Sequence, residues 1–146
     1  MTLEEIRLVQ ESYLKILPVK ETLSDRFYGR LFQLDPSLKA LFSRDIKEQG
    51  KKFMDMMDLV VGGLNNFEAD VIPAVRELGA RHVTYGVKLH HYETLKLALL
   101  GVLEEILGDD FPPETRQAWA ATYDLLAHAM VALPSGPAPS GGKSSP

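Results

Sequence analysis

The sequence predicts an all-α domain of seven or eight helices. Apolar residues recur three and four apart along almost the whole chain, the period of an amphipathic helix. No stretch alternates apolar and polar residues for long enough to propose a strand. Prolines, glycines and capping residues fall between the periodic runs, where helices start and stop.

Thr2 followed by Glu5 is a capping-box signature, and Leu3, Ile6, Val9, Tyr13 and Ile16 follow at helical spacing. Pro18 closes that segment. A second helix is expected to carry Leu23, Phe27, Leu31 and Leu34 on one stripe, with Tyr28 and Phe32 beside it. Asp35-Pro36 reads as an N-cap and first-turn proline opening a short helix through Leu38, Leu41 and Phe42. A longer helix is expected from about Ile46 to Asn66, with Gln49, Phe53, Met56 or Met57, Val60 and Leu64 along one side. Pro73 lies near the start of a helix bearing Val75, Leu78 and His82, and Gly86 interrupts the pattern soon after. Tyr92, Leu95, Leu99, Val102 and Ile106 form the next series, ended by Gly108 just past the helix. Pro112-Pro113 starts the last helix, with Trp119, Thr122 or Tyr123, Leu126, Met130 and Leu133 inward. Residues 1–133 therefore read as one domain. Pro134 to Pro146, made of Pro, Ser, Gly, Ala and one Lys, reads as a mobile tail with no apolar anchor.

The 146 residues suffice for one core and a cofactor-sized pocket. A formal net charge of −4 and the lack of a basic stripe argue against nucleic acid and an anionic membrane surface as partners. Without cysteine, disulfides, Cys-zinc sites, iron–sulfur clusters and thiol catalysis are excluded. No apolar run approaches the roughly 18 residues of a membrane span. The acidic, amphipathic start is unlike a signal peptide, so a cytoplasmic protein is expected.

Four histidines are present: His82, His90, His91 and His128. His90 and His91 are adjacent and diverge by about 100° on a helix, and none of the four matches a zinc spacing. Solvated surface is the expectation for His90, His91 and His128. His82 lies one turn after Leu78, on the side of Val75, and faces the interior. By spacing alone it is either a core histidine or a ligand. Tyr28 places a hydroxyl on a largely apolar face, and a buried phenol needs a partner. Gln49 and Phe53, four apart, project from one face of their helix.

Set in order, these residues resemble a bacterial globin of the flavohaemoglobin-related group, including its single-domain and neuroglobin-like thermophile members. The likeness spans roughly Leu3 to Leu133. Phe27-Tyr28-Gly29-Arg30-Leu31-Phe32, Asp35-Pro36 and Leu38-Lys39-Ala40-Leu41-Phe42 are similar to the family's distal entry. Gln49-Gly50-Lys51-Lys52-Phe53 resembles its distal helix. Ile72-Pro73-Ala74-Val75 with Leu78-Gly79-Ala80-Arg81-His82 resembles the proximal helix, and Trp119-Ala120-Ala121-Thr122-Tyr123 the final one.

The resemblance implies a globin fold around one haem b, with His82 as the iron's protein ligand. It implies further contacts to the haem from Phe42, Phe53, Leu78, Arg81, Val87, Tyr92 and Leu95. Tyr28 takes the distal tyrosine role and Gln49 the distal glutamine role, stabilising O2, NO or CO at an iron whose sixth position is open. The second ring nitrogen of His82 is expected to donate to a carbonyl, that of Leu78, fixing the tautomer. Two departures stand out. The group's reductase, which binds flavin and nicotinamide, has no counterpart after Leu133, and its late glutamate aligns at about Pro134, where there is no acid. The implied functions are O2 binding, transport or scavenging, or nitric oxide dioxygenation with an external reductase. A helical interaction module without haem is the remaining class.

Overall fold

The computed structural model describes residues 1–42, 45–77 and 89–132. Leu78, Arg81, His82, Gly86, Val87, Leu133 and the tail at 134–146 lie outside the described residues. The described residues form seven α-helices and four 3-10 turns, with no strand among them.

Helix α1 (Leu3–Ile16) opens on the expected capping box: Thr2 accepts from the Glu5 amide, and Glu5 accepts from the Thr2 amide in return. A 3-10 turn (Leu17–Val19) containing Pro18 passes directly into α2 (Lys20–Leu34). The Asp35 side chain then accepts from the Ser37 amide and starts a second 3-10 turn, Pro36–Leu41. That segment is tighter than the α-helix its spacing suggests.

Helix α3 (Ile46–Gly62) starts on Asp45, whose side chain accepts from the Glu48 amide. It stops four residues before the expected Asn66, and a 3-10 turn (Leu64–Asn66) follows. Two glycines, Gly62 and Gly63, stand at the stop, and the Gly63 amide donates to the Leu59 and Val61 carbonyls. A Cβ at Gly63 would lie 2.6 Å from Val71 Cγ2, so the chain folds back tightly there. Beyond it come one helical turn, α4 (Phe67–Asp70), and α5 over the described residues 72–77. Helix α6 (Leu89–Leu107) ends at Gly108, whose φ of +54° is the left-handed conformation expected past a helix end. Helix α7 (Pro113–Ala132) closes the described chain.

Helix α2 is central, packed on α3 and α6, while α7 packs on α1 and α6. Trp119 of α7 is buried and donates its indole N–H to Ser12 Oγ of α1 at 2.8 Å. That bond satisfies the one polar atom of a large apolar ring, so Trp119 contributes packing without a desolvation penalty.

Two burial expectations are corrected. Leu34 is 50% exposed rather than inward, because α2 ends there and the core continues through Leu31 and Leu38. His91 is only 8% exposed, not solvated surface. It lies one turn before Leu95 on the α6 face that carries Ala98 and Val102. His90 and His128 are exposed as expected.

Candidate functional site

The buried face of α2 carries Leu23, Ser24, Phe27, Tyr28 and Leu31, which recur three and four apart. Tyr28 stands at one edge of this face and is 3% exposed. Its ring meets Phe27 edge-on at 5.1 Å, Phe42 edge-on at 5.4 Å, Phe53 edge-on at 6.1 Å and Phe32 at 6.0 Å. Phe27 and Phe53 stack at 4.4 Å, which ties α2 to α3. Edge-on packing matches the positive rim of one ring to the negative face of the next. The result is an apolar cage around a single phenol.

Phe42 reaches the cage from the end of the Pro36–Leu41 turn, where its amide donates to the Lys39 carbonyl. Phe53 and Gln49 come from one face of α3, as their spacing predicts, and both are half-buried. The Tyr28 hydroxyl donates to the backbone carbonyl of Gln49 at 3.5 Å, the outer limit of a hydrogen bond. Burial pushes the Tyr28 pKa up to about 12, with a smaller opposing influence from the neighbouring Gln49. The phenol therefore keeps its proton throughout the physiological range.

What brings α3 so close is Gly50, next to Gln49. A Cβ at Gly50 would lie 3.0 Å from Ser24 Oγ and 3.3 Å from Ser24 Cβ. Ser24 sits one turn before Tyr28, so this crossing places the Gln49 backbone over the phenol. Sequence reading names Gly50 within its motif but assigns no contact to it.

The structure thus brings together Tyr28, Phe42, Gln49 and Phe53. Tyr92 and Leu95 lie on α6, half-buried against the core. Burial raises the Tyr92 phenol above its ordinary pKa. Tyr123 of α7 donates its hydroxyl to the Tyr92 carbonyl at 2.7 Å, a tie between α6 and α7 that sequence reading missed. Its signal was only an inward tyrosine on the last helix. Phe27 and Phe32, which the sequence places in the distal-entry segment with no site role of their own, also wall the cage.

Compared with known families, residues 25–130 match Globin. The chain belongs to the globin family. This globin is 30% identical over 115 residues to a flavohemoprotein of Bacillus subtilis, covering 77% of this chain and 29% of that protein. It is 28% identical over 128 residues to a flavohemoprotein of Rhodopirellula baltica, covering 86% of this chain and 31% of the relative. A Vibrio cholerae flavohemoprotein is 23% identical over 133 residues, covering 90% and 34%. The chain thus spans about a third of the length of these curated relatives. Among the described residues of this globin, no helix is long and apolar enough to cross a membrane.

Proposed function

We propose that this globin holds a haem b on His82 and reversibly binds O2, with Tyr28 as the principal donor to the bound gas. Membership of the family implies haem binding, and the described residues suit an apolar macrocycle. Phe42, Phe53, Tyr92 and Leu95 are each partly exposed, so their faces are not used up by the core. When bound, the haem supplies an iron with an open position for a diatomic gas such as O2, NO or CO.

The observation that carries the reading is the Tyr28 hydroxyl. It is buried in an aromatic cage, and its hydrogen bond to the Gln49 carbonyl is stretched to 3.5 Å. Such a donor gains by turning to a polar, partly anionic ligand, since charge-assisted bonds are the stronger ones. One bond of about 1.5–3 kcal/mol slows O2 loss by roughly ten- to a hundred-fold. Gln49 serves as the second donor. Phe42 and Phe53 exclude water, which strengthens both interactions. His82 supplies one imidazole nitrogen to the iron, with Leu78, Arg81, Val87, Tyr92 and Leu95 contributing to the haem's surroundings.

Tyr28→Phe removes the donor and keeps the packing. The fold and haem content should survive, with O2 release about ten-fold faster and CO release, from a less charged ligand, changed far less. Equal acceleration of both gases, or of neither, would sink the role given to Tyr28.

The likeness to flavohemoproteins favours a second reading on the same residues: conversion of NO and O2 to nitrate, with an external reductase restoring the iron. NO consumption by the purified protein with added reductase separates the two. Sustained turnover makes the chain a dioxygenase, and a single stoichiometric burst leaves it an O2 binder.

A further inference from the structure

Helix α2 is held on two flanks, and only one of them belongs to the cage. On the α3 side Ser24 seats against Gly50. On the other side Arg26 and Arg30, four apart on α2, both bind one carboxylate, Glu105 of α6. Arg26 donates to Oε1, and Arg30 donates to Oε2 at 3.0 Å. Arg30 reaches Glu105 by lying across Gly101, where a Cβ would stand 2.9 Å from its Nη1 and 3.1 Å from its Cδ and Cζ. Tyr28 lies between the two arginines in sequence and projects into the core from the opposite side of the helix.

We infer that Glu105, acting through Arg26 and Arg30 over the Gly101 seat, is a positioning residue that fixes the roll of α2 and so the aim of the Tyr28 hydroxyl. Apolar side chains already hold α2 on α3 and α6, and the directional contacts of the two guanidinium groups with Glu105 add resistance to roll about the helix axis. At a side-chain radius of about 5–6 Å, a roll of about 10° carries a side-chain tip about 1 Å. That distance separates a strong hydrogen bond from none. A carboxylate bridging two arginines one turn apart resists roll better than a single pair, because both guanidinium groups must be released together. Partly exposed ion pairs add little to global stability, so the clamp shows itself in geometry more than in melting. This inference rests on the reading of Tyr28 as donor to the bound gas.

The test is a double-mutant cycle on the haem-loaded full chain, using Glu105→Ala and Tyr28→Phe. Alone, Glu105→Ala should speed O2 release by about three-fold or more, change CO release little, and shift the melting temperature by no more than about three degrees. In the Tyr28→Phe background it should change O2 release not at all. The C–O stretching frequency of the CO complex, which senses the field of the nearby phenol, should shift on Glu105→Ala only while Tyr28 is present. Gly101→Val, which forces Arg30 aside and keeps Glu105, should reproduce the effect. Equal acceleration in both backgrounds, or none in either, overturns the inference. If Tyr28→Phe alone leaves O2 release unchanged, the reading of the site fails and this inference with it. If Tyr28→Phe is fast and Glu105→Ala is not, only the inference fails.

Discussion

Ser24 of α2 and Gly50 of α3 approach so closely that a methyl group on Gly50 would stand 3.0 Å from the serine oxygen. Both are buried, and Ser24 Oγ is already committed to the Glu21 carbonyl at 3.1 Å. The crossing sets the height of Gln49 above Tyr28, so its geometry reaches the cage directly.

Gly50→Val should therefore act twice. The added volume cannot be taken up by a flexible tip, and overpacking of this kind costs about 1–3 kcal/mol in urea unfolding. Because α3 is displaced from α2, the Phe27–Phe53 stack opens and O2 release should also quicken. A variant with unchanged stability and unchanged O2 release would show that the contact relaxes freely and does not set the cage.

The assignment of His82 predicts a separation among the histidines. His82→Ala should abolish stable haem retention, read as loss of the haem absorbance after gel filtration. His90→Ala and His128→Ala, at exposed positions, should leave the haem spectrum intact. A His82→Ala protein that keeps its haem with an unaltered spectrum removes the proposed ligand.

A third prediction concerns acid. Asp58 of α3 accepts from the Tyr13 hydroxyl of α1 at 2.5 Å and pairs with Lys20 of α2 at 3.0 Å, so one carboxylate joins three helices. Partial burial raises its pKa, but the hydrogen bonds from Tyr13 and Lys20, with the Lys20 charge, outweigh that and hold it below the ordinary value. A folded-state pKa lower than the unfolded one contributes stability that is fully present above the unfolded value of about 3.9 and is lost as pH falls through the folded value. Asp58→Asn should thus lose up to about 1 kcal/mol at pH 7, a modest amount because the pair is partly exposed. Its deficit against the parent chain should shrink as the pH drops below about 4. A deficit that stays constant across that range would assign the effect to packing.

Much of this globin is written locally. Period 3.6 sets its helices, and the capping box at Thr2 and Glu5, Asp35 before Pro36, and Gly108 past α6 set several of their ends, because each is an interaction within one turn of chain. The stripe of α2 and the shared face of Gln49 and Phe53 follow from the same spacing. What spacing cannot carry is the crossing of one helix over another. Val71 lies so near Gly63 that a Cβ there would stand 2.6 Å from its Cγ2, and His91 is buried because its face of α6 reaches the core. The Ser24–Gly50 seat and the carboxylate of Glu105 reaching Arg26 and Arg30 unite residues roughly 26 and 75–79 positions apart. Those contacts depend on interhelical angle and distance, which packing of the whole core decides. The residue types in the cage were therefore legible in the sequence, whereas the 3.5 Å from the Tyr28 hydroxyl to the Gln49 carbonyl was not.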